Sequence, residues 1–238
     1  MAEPPEDPGL TGAGVIPLDR DQAHYLFGVM RLGPGDPVLL FNGRDGEWRA
    51  EVLEAGKRAG RLGLCERTRA QESPPDLWLL FAPLKKARTD FVAEKAAEMG
   101  CRRLVPVFTR HTNAERVNRD RLEAHCIEAA EQCGLLSVPE VAEPAPLDRV
   151  IADWPEGRRL LFCDETGGPP AWHALGAAGP GPWAVLIGPE GGFAPEEAAR
   201  LRALPFAVAA SLGPRILRAD TAAVAALALW QARNGDWQ

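Results

Sequence analysis

A chain of 238 residues with 46% hydrophobic content can bury one large core or two modest ones, and its net charge of −6 argues against a uniformly basic nucleic-acid binder. No apolar run approaches membrane-spanning length and the start MAEPPEDPG lacks the basic and apolar regions of a secretory signal, so a cytoplasmic protein without a membrane partner is expected. Five cysteines with no C-x-x-C pair argue against both a disulfide framework and a zinc site, and no metal is expected.

Residues 1 to about 14, rich in Pro, Gly and acid, predict a poorly ordered tail. Leu18 to Leu32 has a helical rhythm through Leu26, Val29, Met30 and Leu32. PVLLFNG, EWRAEVLEA and RLGLCERT then read as strands separated by the turn signals NGRDG and GKRAG, which predicts a small antiparallel barrel or sheet. The QESPPD segment, Gln71 to Asp76, is the linker candidate, because adjacent prolines cannot continue a strand. The expected boundary lies between residues 72 and 73.

Beyond the linker, strands alternate with helices. Leu77 to Ala82, Leu104 to Phe108, Arg159 to Cys163, Trp183 to Ile187 and Phe206 to Ser211 read as strands. Thr89 to Met99, Asp120 to Cys133, Pro195 to Leu204 and Asp220 to Arg233 read as helices, the first two ending at Gly100 and Gly134. The fold class is therefore α/β, with a parallel sheet covered on both faces. The last helix is apolar nearly all round, which requires burial in a core or an interface.

Charge is unevenly spread. Lys85 to Arg121 holds ten Lys/Arg and five Asp/Glu, an excess of +5 against −11 for the rest, as expected where one surface meets phosphate. Solvated helix faces of mixed charge would give the same count for any single residue.

Two corners near the C-terminus carry the most chemistry. AVLIGPEGGF (Ala184 to Phe193) and AVAASLGPRILRADTAA (Ala207 to Ala223) each run from a short apolar strand into a Gly-Pro loop and a helical pattern, the place where α/β sheets bind ligands. Gly188, Gly191 and Gly192 permit positive φ and close backbone approach, and Pro189 stiffens the turn. There is no P-loop Lys-Ser/Thr pair and no G-x-G-x-x-G, and Glu190 puts a carboxylate where a polyphosphate needs positive potential. A phosphate-free adenosine ligand carrying a sulfonium suits this loop better; a plain surface turn before the helix at Pro195 is the other reading.

With these corners goes an ordered set of further segments: HYLFGVMRLGPGD (His24 to Asp36), FVAEKAAEMG (Phe91 to Gly100), EAAEQCG (Glu128 to Gly134) and VPEV (Val138 to Val141). Together they resemble the knotted SPOUT methyltransferases, specifically the RsmE-type 16S rRNA uracil-N3 methyltransferases, with the family's two signature loops matched by Leu186 to Gly192 and Leu212 to Ala222. The resemblance implies a PUA-like β-barrel RNA-binding domain over 1–72, a SPOUT domain with a C-terminal trefoil knot over 73–238, S-adenosylmethionine as cofactor and a homodimer. It also implies methylation of uridine N3 in 16S rRNA, within an assembled small ribosomal subunit. Another RNA nucleotide as target, a non-catalytic RNA-binding protein and, without its glycine fingerprint, a dinucleotide-dependent oxidoreductase are the alternatives.

On this resemblance the cofactor residues are Leu186, Gly188, Pro189, Glu190, Gly191, Gly192, Leu212, Gly213, Ile216 and Leu217. As uracil N3 loses its proton, negative charge spreads onto O2 and O4, and a guanidinium aimed there acts as an oxyanion hole does. Arg218 is the leading catalytic candidate, against a structural role pairing with Asp220; Thr221 is expected to cap the final helix. Arg31, Lys85, Lys95 and Arg110 are the RNA-binding candidates. Three departures from the family stand out: an acidic tail in place of an N-terminal Arg, Leu135 in place of the Arg after EQCG, and a basic position shared between Arg110 and His111.

Overall fold

A computed structural model of the protein describes residues 9, 10, 12 and 14–237. Most of the expected tail lies outside the described residues, but Leu10 is buried and its N–H donates to Asp45 Oδ2 at 2.8 Å. With the Arg44 and Asn42 side chains, that bond holds the Asp45 carboxyl at about 2. The chain divides into two compact units, up to Ser73 and from Pro74.

The first unit is a four-stranded antiparallel sheet. Its strands are β1 (Val15–Leu18), β2 (Pro37–Phe41), β3 (Glu47–Ala55) and β4 (Gly60–Arg69), in the order β1-β4-β3-β2. Three register shifts between β3 and β4 bend the long hairpin, and Ala50, Val52, Leu62 and Leu64 face its core. The four residues of β1 carry too little pattern to be read as a strand from sequence. The helical rhythm after Leu18 becomes α1 (Arg20–Ala23), opened by an Asp19–Gln22 capping box, and then a π-helical stretch His24–Val29. Arg31 follows it in a left-handed conformation at φ 60°.

The second unit is a three-layer α/β/α sandwich. Its parallel sheet comprises β5 (Leu77–Phe81), β6 (Arg103–Phe108), β7 (Glu140–Val141), β9 (Arg159–Cys163), β10 (Trp183–Ile187) and β11 (Ala207–Ala210), in the order β11-β9-β10-β5-β6-β7. A two-residue β8 (Ala145–Pro146) also pairs with β6. The helices are α2 (Lys86–Glu98), α3 (Arg119–Cys133), α4 (Leu147–Ala152), α5 (Ala171–Ala178), α6 (Pro195–Ala203) and α7 (Ala219–Asn234).

Alternation along the strands sorts the core into two layers. Leu77, Leu79, Phe81, Trp183, Val185 and Ile187 pack with α2, α3, α5 and α7, whereas Leu80, Phe162, Ala184 and Leu186 pack with α4 and α6. α3 ends as expected at Gly134, with φ 62°. α4 and α5 are additions to the sequence reading: α5 is only eight residues long, flanked by GGPP and GPGP, which disguise it as loop.

Of the final helix, Ala219, Ala223, Ala226, Leu227 and Trp230 are buried against their own unit, while Ala222, Val224, Ala225 and Leu229 are only half-buried. Thr221 does not cap it. Arg218 occupies the N-cap position without a side-chain bond, and Thr221 sits exposed in the first turn, its N–H bonded to Asp220. Among the described residues no helix is long and apolar enough to cross a membrane, and no group of three His, Cys, Asp or Glu is placed to hold a metal.

Candidate active site

β11, β9 and β10 are neighbours and parallel, so their carboxyl ends open on the same edge of the sheet. A cleft of about 270 Å³ lies there, walled by the loops that leave these strands and closed by the start of α7 at Ala219 and Ala222. Gly188, Pro189, Glu190, Gly192, Leu212, Gly213, Ile216, Leu217 and Arg218 all line it. Two expected cofactor residues do not. Leu186 points into the opposite core layer, leaving Ile187 to line the cleft, and Gly191 turns toward His111, whose ring Nδ1 stands 3.2 Å from the Gly191 carbonyl.

The glycines serve different purposes. Gly192 takes the positive φ of 66°, whereas Gly188 does not: a Cβ on it would stand 2.7 Å from the Phe193 ring. Phe193 in turn packs edge-on against Phe162 at 5.3 Å, which ties the loop to the core. Glu197 anchors the same loop from α6, accepting from the Ala194 N–H at 3.0 Å and the Arg110 N–H at 2.9 Å. Arg88 lies 3.8 Å from Glu190 and 3.7 Å from Asp220, a half-exposed bridge between the GPEGG loop and α7. Asp220 thus turns to Arg88 and not to Arg218.

A third corner escaped the sequence reading. Cys163, Asp164 and Glu165, at the end of β9, also line the cleft, and nothing in CDETGG resembles the Gly-Pro signature of the other two. Burial pushes the Asp164 carboxyl up, but the Arg202 guanidinium at 2.6 Å and the Thr166 hydroxyl at 2.7 Å outweigh it and hold the group below the usual carboxylate range. Burial pushes the Cys163 thiol up to about 12, so it is a neutral wall and no nucleophile. Arg215 and Arg218 are the cationic side chains of the lining, and neither has a hydrogen-bond or ion-pair partner among the described residues.

The RNA candidates separate. Lys85 at the N-cap of α2 and Arg110 after β6 are exposed at the same edge of the sheet as the cleft. Lys95 lies roughly two and a half turns down α2, bonded to Glu98 at 2.5 Å and 5.4 Å above the Phe91 ring. Arg31 is exposed in the first unit.

Residues 71–231 match the family model of the RNA methyltransferase domain, and residues 18–65 that of the RNA methyltransferase PUA domain. Fold and site therefore define a SPOUT-class methyltransferase domain preceded by a PUA-like domain. The ribosomal RNA small subunit methyltransferase E of Mycobacterium bovis is 30% identical, over 91% of this chain and 86% of its own length. Among solved structures, the Neisseria gonorrhoeae ribosomal RNA small subunit methyltransferase E bound to S-adenosyl methionine superposes with TM-score 0.85 at 25% identity, covering 98% of this chain and 97% of that one. A putative methyltransferase of Legionella pneumophila with bound cofactor SAM gives 0.81 at 29%, covering 94% of each. The chain belongs to the family of ribosomal RNA small subunit methyltransferases E.

Proposed function

We propose that this protein methylates N3 of a uridine in 16S rRNA, using S-adenosylmethionine held in the cleft at the ends of β9, β10 and β11. The observation that carries the reading is the pair of guanidiniums, Arg215 and Arg218, left without partners among the described residues beside a cleft that also offers apolar side chains, exposed loop backbone and the carboxylates of Glu165 and Glu190. Ile187, Leu212, Leu217 and Phe193 suit a purine, and exposed loop backbone at Gly188 and Gly213 suits the rest of a phosphate-free nucleoside. The cofactor supplies a methyl group made electrophilic by a sulfonium.

The chain's own residues do the remainder. The loops fix the orientation of the two reactants, which for well-oriented pairs is worth on the order of 7 to 11 kcal/mol. Arg218, fixed at its backbone as the N-cap of α7, presents a planar cation to the oxygens that gain charge as N3 is deprotonated. No histidine lines the cleft among the described residues. Exposure at the sheet edge that holds the cleft supports Lys85 and Arg110 as holders of RNA phosphate, and Arg31 and Lys95 are assigned to RNA on family motif positions.

The half-buried apolar face of α7, with exposed Phe91 of α2, supports a homodimer, and the passage from edge strand β11 back to a helix packed on central β10 supports the family's knot. The expected substrate is the small ribosomal subunit in the cytoplasm. Nucleoside mass spectrometry of rRNA from cells with and without the protein tests the reading: N3-methyluridine should disappear from small-subunit rRNA, and an unchanged level overturns it.

A further inference from the structure

The corner that sequence reading missed holds a carboxylate with no assigned work. Glu165 lines the cleft, and among the described residues it has neither a hydrogen bond nor an ion pair. Its neighbour Asp164 is fully engaged: Arg202 and the Thr166 hydroxyl and N–H take its two oxygens. The Arg202 guanidinium is thereby spent on Asp164 and Thr166, and among the described residues Glu165 keeps its lone pairs free. Its place is also built. Gly192, in the left-handed region at φ 66°, leaves the space that the Glu165 carboxylate fills, since a Cβ there would collide with Glu165 Oε1.

We propose that Glu165 is a ligand-recognising residue that accepts hydrogen bonds from the ribose diol of the adenosyl ligand. The inference deepens the reading of the cleft as an S-adenosylmethionine site and rests on it. The polarity of the cleft decides which end of the ligand Glu165 meets. An amino-acid end carries an α-carboxylate, which seeks a guanidinium and is repelled by Glu165; the guanidiniums of the lining, Arg215 and Arg218, belong to the β11 corner. The β9 corner offers an acceptor-only carboxylate, the complement of two vicinal hydroxyl donors. An acid at a strand end reading ribose hydroxyls is the same chemistry that dinucleotide-binding sheets use.

Calorimetry on the full chain tests this with S-adenosylhomocysteine, its 2′-deoxyribose analogue, and methylthioadenosine, which keeps the sugar and lacks the amino-acid end. Glu165→Ala should weaken S-adenosylhomocysteine about ten- to a hundredfold, the range for losing hydrogen bonds to a charged acceptor. Glu165→Gln, which keeps one acceptor oxygen, should fall between. The 2′-deoxy analogue should bind the wild type more weakly than its parent, yet show a much smaller penalty for Glu165→Ala. Methylthioadenosine should show the full penalty. Unchanged affinity in a folded Ala variant overturns the proposal, as does a penalty that vanishes with methylthioadenosine, which would assign Glu165 to the ammonium. A wild type that binds none of the three ligands overturns the cleft reading itself and this proposal with it.

Discussion

Two groups of arginines, at opposite ends of the second unit's sheet, are used in opposite ways. At the amino end, the Arg158 guanidinium lies 3.7 Å from the Trp78 ring centroid, with Arg103 4.7 Å from the same ring. Arg158 binds both carboxylate oxygens of Asp76 at 2.8 and 2.9 Å and the Trp183 carbonyl at 2.8 Å, while Arg103 pairs with Glu140 at 3.2 Å. Arg159 reaches the Pro180 carbonyl at 2.8 Å. At the carboxyl end, Arg215 and Arg218 have no partner among the described residues. Arg202 and Arg88 are ion-paired at the carboxyl end too, so the contrast is between arginines that fix the chain through a partner and the two cleft-lining ones left free for a ligand. Partner accounting together with a place in the cleft lining separates these roles.

The comparison breaks most sharply at Arg158. Its side chain is only 7% exposed, and burial pulls its pKa down against the opposing pull of Asp76. Removing it leaves Asp76 and the Trp183 carbonyl without their donor, so Arg158→Ala should cost about 3 to 5 kcal/mol of stability. Chemical denaturation reads that loss, and affinity of the folded fraction for S-adenosylhomocysteine should stay within twofold. Arg218→Ala should do the reverse: a fall of about a hundred- to a thousandfold in single-turnover methylation, roughly 3 to 4 kcal/mol, with no change in denaturation midpoint. Lys should rescue it only in part, because a point charge cannot reproduce the planar fork. If Arg218→Ala unfolds or dissociates the protein at normal turnover, the contrast between the two ends fails.

How much of this was legible in the sequence depends on range. The β10 and β11 corners were readable because a short apolar run meeting Gly-Pro is a local signal. The β9 corner was not, since Asp164 owes its place to strand order and its ionisation to Arg202, thirty-eight residues on. The contact of His111 with Gly191, eighty residues apart, was equally hidden. Leu186 was misplaced by one step of the strand alternation that puts Ile187 in the cleft. Composition could not expose α5 either, because eight residues framed by glycine and proline carry too little pattern.

The Asp164 cluster sharpens the account of the carboxyl end through pH. Unfolded aspartates titrate near 3.9, and folded Asp164 is held lower by Arg202 and Thr166 despite its burial. Its contribution is therefore fully present above about pH 4 and lost as pH falls through the folded value, where both states are protonated. Asp164→Asn should cost about 1.5 to 3 kcal/mol at neutral pH, the range for hydrogen bonds to a charged group. Stability curves of wild type and variant should then converge on acidification. A constant offset down to pH 3 would show that Asp164 acts by shape and not by charge.

The smallest effect separates two adjacent glycines that look alike in sequence. At Gly191 the nearest atoms an added Cβ would meet belong to the His111 side chain, Cβ first at 3.5 Å, an ordinary contact at a φ that any residue adopts. At Gly192 the backbone is left-handed and the new methyl would strike the Glu165 carboxylate. Gly192→Ala should therefore cost about 1 to 2 kcal/mol, chiefly from the left-handed φ, since the Glu165 side chain can swing away. That swing moves the carboxylate proposed to hold the ribose, so affinity for S-adenosylhomocysteine should fall in Gly192→Ala and hold in Gly191→Ala. Thermal denaturation and calorimetry on the two variants read both quantities. Equal behaviour of the pair would mean that the loop re-forms around either side chain, and that neither its φ pattern nor the Glu165 slot controls the cleft.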